Sequence, residues 1–150
     1  REKMAYAALL SGITLAQVGL GSVHGLASPL GAFFPIPHGV VCGTLVASAT
    51  RINIHSMSAR EPNNTALAKY WRAAEILCQR RFIDPQVAFN KLIDLLAQWT
   101  NELALPRLSH YGLQETALDK VIAHCRGSSM KTNPIVLTDE EIRQVLLERL

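Results

Sequence analysis

Apolar residues recur at helical rather than alternating spacing along most of the chain. Between residues 67 and 78 they fall at i, i+3, i+4, i+7, i+10 and i+11, which is the stripe of an amphipathic helix; its members are Leu67, Tyr70, Trp71, Ala74, Leu77 and Cys78. A second stripe follows Asp84-Pro85, a helix cap followed by proline at the first helical position. No segment alternates as a strand does. The pattern therefore predicts an all-α fold, a helical bundle of about six or seven helices.

The remaining helices are predicted from periodicity and from residues that stop or start a helix. They cover residues 2–17, 23–30, 38–57 and 114–125. A last helix should begin after Thr138, because Thr138-Asp-Glu-Glu141 has the spacing of a capping box. The polar residues 127–134 are expected to form a loop.

The first third of the chain is almost free of charge. No Asp, Glu, Lys or Arg occurs between Met4 and Thr50. The first helix is apolar on every side, which predicts that it is buried on every side. Residues 4–20 approach the minimum length of a membrane span, but polar residues within the run and three prolines after it favour a core helix of a soluble protein. A membrane-associated helical protein stays the weakest of three interpretations.

Length and composition narrow the function classes. The 150 residues predict a single domain, residues 1–150. The formal net charge is only +3, and the densest basic pair, Arg80-Arg81, has no interleaved aromatic residues, which argues against nucleic-acid binding. Three widely spaced cysteines contain no Cys-x-x-Cys pair. They are expected to be reduced, buried thiols of a cytoplasmic protein.

The stretch from residue 21 to 39 holds two histidines, His24 and His38, each followed by glycine. In one straight helix the two would lie about 21 Å apart, too far to share a metal ion. The Gly- and Pro-rich break at residues 31–37 permits the chain to reverse and the histidines to meet. The glycines, Gly25 and Gly39, would let the backbone approach a bound group.

Two interpretations of this histidine pair remain open on the residues alone. The histidines are either satisfied side chains of a Gly- and Pro-rich corner or half of a metal site. Two ligands are fewer than the three or more that a catalytic zinc or iron site uses. A metal site would therefore need ligands from outside the 150 residues.

The motif Gly21-Ser-Val-His24-Gly-Leu-Ala-x-Pro-Leu-Gly31-Ala…Pro37-His38-Gly39 resembles the C-terminal signature of the iron-containing (group III) alcohol dehydrogenases. Weaker matches at residues 5–13, 105–109 and 132–142 extend the resemblance over essentially the whole chain. The resemblance implies an all-helical C-terminal domain of a larger two-domain enzyme. Its N-terminal α/β domain, which binds NAD or NADP, would lie outside these residues.

The resemblance also implies a site. A divalent metal, usually Fe²⁺ but with zinc or another metal as alternatives, would be held by His24, His38 and an Asp-x-x-x-His pair absent from this chain. Phe33 and Phe34 would line the substrate cleft. Many members carry a further histidine four residues after the first ligand, where this chain has Ser28. Ser28 is thus a candidate catalytic residue, although its hydroxyl is a poor acid or base.

The leading interpretation is the metal- and substrate-binding domain of an NAD(P)-dependent alcohol dehydrogenase that acts on a small alcohol or aldehyde. The isolated chain is expected neither to oxidise alcohols nor to bind metal tightly. It is expected to pair with its nucleotide-binding domain, and the apolar surface left without that domain would favour self-association. The alternative is a non-catalytic helical module for ligand binding or protein interaction.

Overall fold

The computed structural model describes residues 1–150 and contains eight α-helices and no β-strand. The all-α prediction is therefore confirmed. The helices are α1 Glu2–Val18, α2 Ser22–Phe33, α3 His38–Arg60, α4 Thr65–Cys78, α5 Pro85–Glu102, α6 Leu118–His124, α7 Ser128–Lys131 and α8 Asp139–Leu147. Two short 3-10 helices, Leu108–Tyr111 and Glu115–Ala117, connect α5 to α6.

Helix α1 is the clearest departure from expectation. The sequence predicted a helix that is buried on every side, yet none of its residues is buried. Met4 is 74% exposed and Val18 is 63% exposed. An apolar composition shows that a helix can be buried, but the burial also needs neighbours, and the other helices of this chain do not cover α1. The prediction of a core helix was therefore wrong for this chain.

Helices α2 and α3 form the hairpin that carries both histidines. Pro29 lies inside α2 without ending it, and the backbone N–H of Phe34 still donates to the carbonyl of Leu30 at 3.0 Å. The helix therefore extends three residues beyond the predicted end at residue 30, and the break shrinks to residues 34–37. Pro37 then precedes the first residue of α3, as predicted.

The core has two parts that meet along α3. The main core contains 21 buried apolar residues, drawn chiefly from α2, α3, α6 and α8, among them Leu26, Leu45 and Leu146. A second core of six buried residues joins α3 to α4 and α5 and includes Ile54, Ala74 and Phe89. Since α3 serves both parts, its 23 residues are held on several sides and its start has a fixed orientation.

Capping residues set the helix boundaries where the sequence predicted them. Asp84 accepts a hydrogen bond from the backbone N–H of Gln86 at 2.8 Å, and Pro85 opens α5. Thr138 and Glu141 form the reciprocal capping box that begins α8. These local signals bind backbone donors that the first helical turn leaves unpaired, which is why they could be identified without the fold.

The region between α5 and α8 is less regular than predicted. The helix expected over residues 114–125 is divided into a 3-10 turn and the seven-residue α6, although Leu118, Val121 and Ile122 are buried as expected. The expected loop at 127–134 contains the one-turn helix α7. Short, strongly curved segments of this kind follow tertiary packing more than local periodicity.

No single helix is long and apolar enough to cross a membrane. Helices α1 and α2 pass that test only when taken together, and they meet at an angle of 93°.

Candidate metal centre

His24 lies in the first turn of α2, close to the point where the chain leaves Gly21. The start of that helix is fixed from outside, because the backbone N–H of Ser22 donates to Oδ1 of Asn133 at 2.9 Å. Ser22 is only 2% exposed. The histidine thus projects from a helix end whose position is set by the main core.

His38 is the first residue of α3 and faces His24 across the helix hairpin. The two ring centroids are 5.2 Å apart and the ring planes are inclined by 54°. The separation expected for a continuous helix was about 21 Å. The reversal of the chain at residues 34–37 therefore brings the two histidines together, as the sequence argument required.

Cys42 completes the cluster. It lies one helical turn after His38 on α3, and its Sγ is 3.5 Å from Nε2 of His38 and 3.7 Å from Nε2 of His24. The potential ligand atoms of the three residues all lie within 4.8 Å of one another. The sequence predicted a buried, reduced thiol here, but Cys42 is only half-buried. Its spacing of four residues from His38 is the spacing of neighbours on a helix face.

The surroundings shift the pKa values of His24 and Cys42. Burial, followed by the nearby charge of His38 when protonated, lowers the pKa of His24 from its ordinary value of 6.5. Burial also raises the pKa of the Cys42 thiol. At neutral pH the imidazole of His24 is therefore neutral, which leaves a ring nitrogen with a free lone pair.

This donor set suits a divalent transition metal. Imidazole nitrogen and thiolate sulfur are the common protein ligands of zinc, and imidazole also binds iron. Because the ligand atoms of the three side chains already lie within 4.8 Å of one another, they need little rearrangement to share an ion. The cluster therefore offers three possible ligands, one more than the two histidines identified from the sequence.

The other predicted site residues do not belong to the cluster of His24, His38 and Cys42. Ser28 lies one helical turn after His24 on α2 and is exposed. Phe33 is nine residues after His24, which is the opposite side of a helix, and its ring packs edge-on against His124 with the Nζ of Lys120 4.1 Å from its centroid. Phe34, half-buried against the main core, follows α2. The cleft roles of both phenylalanines stay predictions.

The two glycines beside the histidines have different surroundings. A Cβ on Gly25 would meet Cε of Met130 at 2.9 Å and the carbonyl oxygen of Cys125 at 3.1 Å. The close approach at Gly25 is therefore to the protein's own α7 region rather than to a bound group. A Cβ on Gly39 would meet nothing within 4 Å, so the chain itself does not require glycine there.

The remaining histidines lie outside the cluster. His55, His110 and His124 are all exposed, as expected for His110 and His124. Nδ1 of His124 is 2.8 Å from the carbonyl oxygen of Lys120 in the preceding turn. His24 and His38 are thus the only histidines that the structure places in a three-residue group of possible metal ligands.

Buried Asn53 and half-buried Asn133 form an amide pair that holds the start of α2, which carries His24, and sequence reasoning missed this pair. Nδ2 of Asn133 donates to Oδ1 of Asn53 at 2.8 Å and to the carbonyl of Ile135 at 2.8 Å. Nδ2 of Asn53 lies 3.4 Å from Oγ of Ser22 and 3.4 Å from the Tyr70 hydroxyl. These contacts join the start of α2, the middle of α3 and the segment after α7 at a single point.

Comparison with known proteins gives a consistent match. The family model described as "Fe-containing alcohol dehydrogenase family, C-terminal" matches residues 1–150. Alcohol dehydrogenase 4 of Schizosaccharomyces pombe is 30% identical over 148 residues, which cover 97% of this chain and 32% of that protein. The 1-propanol dehydrogenase PduQ of Salmonella typhimurium is 31% identical over 159 residues, covering 100% of this chain and 40% of that protein.

The fold matches as well as the sequence. A crystal structure of 1,3-propanediol oxidoreductase superposes with a TM-score of 0.84 at 25% identity, over 98% of this chain and 37% of that chain. The chain therefore spans 32–40% of the length of these relatives.

Proposed function

Since this chain belongs to the Fe-containing alcohol dehydrogenase family, matching its C-terminal region over residues 1–150, we propose that it is the metal-binding helical domain of an NAD(P)-dependent alcohol dehydrogenase. The convergence of His24 and His38 at a ring separation of 5.2 Å is the observation that carries this proposal. The chain spans 32% of the length of the first of these relatives, so nucleotide binding is assigned to a separate N-terminal domain.

His24 and His38 are the proposed metal ligands of this chain. When bound, a divalent metal such as Fe²⁺ supplies a Lewis acid that polarises an alcohol oxygen next to the nicotinamide of NAD or NADP. The chain's own contribution is to present two imidazoles from two helices with fixed starts. Because burial lowers the pKa of His24, this imidazole stays unprotonated and available as a ligand at neutral pH.

The substrate surface is assigned to the exposed side of α2 and the turn that follows it. Ser28 shares the His24 side of the helix, and its hydroxyl is suited to hold an alcohol group by hydrogen bonding. A hydroxyl is a poor proton acceptor at neutral pH, so the proton of the alcohol is expected to leave by water or by a group from the other domain. Phe34, in the turn after α2, is the proposed apolar wall of the cleft, whereas Phe33 lies on the opposite side of the helix from His24 and packs against His124.

A second candidate function is a helical module that binds a ligand or another protein without catalysis. Ser28 favours it, because this residue lacks the proton-transfer ability of the histidine that many members carry there. The two candidates differ in one respect that can be measured: only the enzyme couples alcohol oxidation to reduction of NAD or NADP.

The test uses the complete protein that carries this chain. Purified protein is assayed for reduction of NAD⁺ and NADP⁺ with a panel of small primary alcohols and diols, before and after chelation and reloading with Fe²⁺ or Zn²⁺. We expect alcohol-dependent reduction that is lost on chelation and in both His24→Ala and His38→Ala, but retained in His55→Ala. Wild-type activity in both of the first two variants would contradict the metal assignment, and no activity with any alcohol would favour the non-catalytic module.

Location and assembly are part of the same proposal. The protein is proposed to be cytoplasmic and to act on a small alcohol or aldehyde, without nucleic-acid or membrane partners. The exposed apolar side chains of α1, including Leu9 at 60% exposure and Ile13 at 52%, favour association with the nucleotide-binding domain or with a second copy.

A further inference from the structure

Cys42 has no role in the function proposed above, which uses only the two histidines. Its sulfur nevertheless lies closer to each of the two Nε2 atoms than the two ring centroids lie to each other. The inference that follows rests on the proposed function in one respect, namely that a metal ion binds between His24 and His38.

The distances around the sulfur match those of ligands that share one ion. With bond lengths of about 2.3 Å to sulfur and about 2.05 Å to nitrogen, a tetrahedral ion places its sulfur and nitrogen ligands about 3.6 Å apart. The observed separations are 3.5 Å and 3.7 Å. Both sulfur–nitrogen separations are therefore those of ligands that share one ion.

The helix that carries Cys42 gives it a fixed direction. His38 and Cys42 are four residues apart on α3 and so occupy the same side of that helix. The rotation of α3 is set by Val41 and Leu45, which are both fully buried. The hydroxyl of Thr44 also donates to the carbonyl of Pro106 at 3.0 Å. The half-buried thiol is thus held toward the histidines by the packing of its neighbours.

We propose that Cys42 is a third protein ligand of the metal, which makes the contribution of this chain a His-His-Cys set. As the metal–sulfur bond forms, the thiol proton leaves to solvent and the sulfur binds as thiolate. A thiolate is a soft ligand, and soft ligands favour zinc over metals that prefer oxygen. The thiolate is therefore expected to strengthen Zn²⁺ binding relative to the two imidazoles alone.

A simpler role for Cys42 is a thiol hydrogen bond to one of the imidazoles, which would give similar distances. The two roles differ once a metal is present. A ligand forms a metal–sulfur bond with its own optical signature and becomes unreactive toward alkylating reagents, whereas a hydrogen-bonding thiol does neither.

The test is cobalt substitution in the complete protein. Metal-free protein is titrated with Co²⁺, and the near-ultraviolet sulfur-to-cobalt charge-transfer band is followed together with the visible bands of the ion. The variants are Cys42→Ala and Cys42→Ser, with Cys78→Ala as the matched control, because Cys78 is also half-buried but lies at the end of α4. Zn²⁺ affinity is measured by competition with the bound Co²⁺.

We expect the charge-transfer band in the wild type and in Cys78→Ala, and its loss in both Cys42 variants. Loss of the ligand should weaken Zn²⁺ binding by at least about 100-fold, since loss of a supporting partner alone costs about 10–100-fold. In wild-type protein, Zn²⁺ should also slow alkylation at Cys42, mapped by mass spectrometry, but not at Cys78. This last measurement does not depend on the folding of any variant.

The possible failures are distinguishable. If Co²⁺ binds stoichiometrically and requires His24 and His38, but shows no charge-transfer band and does not protect Cys42, the thiolate ligand is refuted and the proposed function stands. If the wild type binds neither Co²⁺ nor Zn²⁺, both are refuted.

Discussion

The amide pair Asn53 and Asn133 gives the most specific prediction about how the candidate metal centre is held. Asn133 receives a hydrogen bond from the backbone N–H of Ser22, two residues before His24, and also pairs with Asn53 on α3. Asn53 is 5% exposed and Ser22 is 2% exposed. Replacement of Asn133 by alanine leaves these two nearly buried groups without their partner.

The expected loss in the free energy of unfolding follows from the polar groups that lose their hydrogen-bond partner. Truncation removes the acceptor of the Ser22 N–H at 2.9 Å and the donor to Oδ1 of Asn53 at 2.8 Å. Leaving one buried polar group without a partner costs about 1–3 kcal/mol. We therefore expect Asn133→Ala to lower the free energy of unfolding by roughly 2–4 kcal/mol, and Asn53→Ala to have a comparable effect.

The assay is urea unfolding of the wild type, both single variants, the double variant and the control Asn101→Ala, which removes an exposed amide from α5. Since the two residues share one network, the double variant should lose less stability than the sum of the singles, with a coupling energy of about 0.5–3 kcal/mol. The control should stay within about 0.5 kcal/mol of the wild type. Additive single effects would refute the proposed linkage between α2 and α3.

Three further predictions concern packing, acid stability and the isolated chain. Gly25→Ala should be destabilising by about 1–3 kcal/mol, because its Cβ would crowd Met130. Gly39→Ala should be neutral or stabilising by up to about 1 kcal/mol, since its surroundings are open. Equal losses of the free energy of unfolding in the two glycine variants, measured by urea unfolding, would contradict both predictions. Burial opposes ionisation of Glu141, but hydrogen bonds from Ser56 and the Thr138 backbone, with the charge of Arg60, outweigh it and hold its pKa below the ordinary 4.5. This stabilisation is present above pH 4.5 and is lost as pH falls through the lowered pKa. The unfolding temperature of Glu141→Gln should therefore change less over that pH range than the unfolding temperature of the wild type. Parallel profiles of the two proteins would refute the assignment. The 150-residue chain should not reduce NAD⁺ or NADP⁺ with any alcohol, and turnover in its purified preparation would disprove the need for a second domain.

The fold class and the joining of the histidines could be predicted because local signals determine them. Periodic stripes, the Asp84-Pro85 start and the Thr138–Glu141 capping box all act within one or two helical turns. The break before His38 also follows from proline chemistry, which removes backbone donors whatever the rest of the chain does. The exact length of this break could not be predicted from the sequence, because α2 continues past Pro29.

Features that depend on contacts between distant residues could not be predicted in the same way. The prediction that α1 is buried was wrong, because an apolar composition does not show which chain supplies the surface that covers the helix. Asn53 and Asn133 are 80 residues apart, and nothing in their local sequence indicates a pair. Cys42 lies within one turn of His38, but its approach to His24 depends on how α2 packs against α3.

We propose that His24 and His38 bind the metal on which the activity depends. This proposal is tested most directly by metal analysis of the complete protein after reconstitution with Fe²⁺ or Zn²⁺ and removal of loosely bound ions, comparing wild type with His24→Ala, His38→Ala and the exposed-histidine control His55→Ala. We expect stoichiometric metal in the wild type and in His55→Ala, and loss of metal in each of the other two variants with their helical content unchanged. Stoichiometric metal in both His24→Ala and His38→Ala would contradict the proposal.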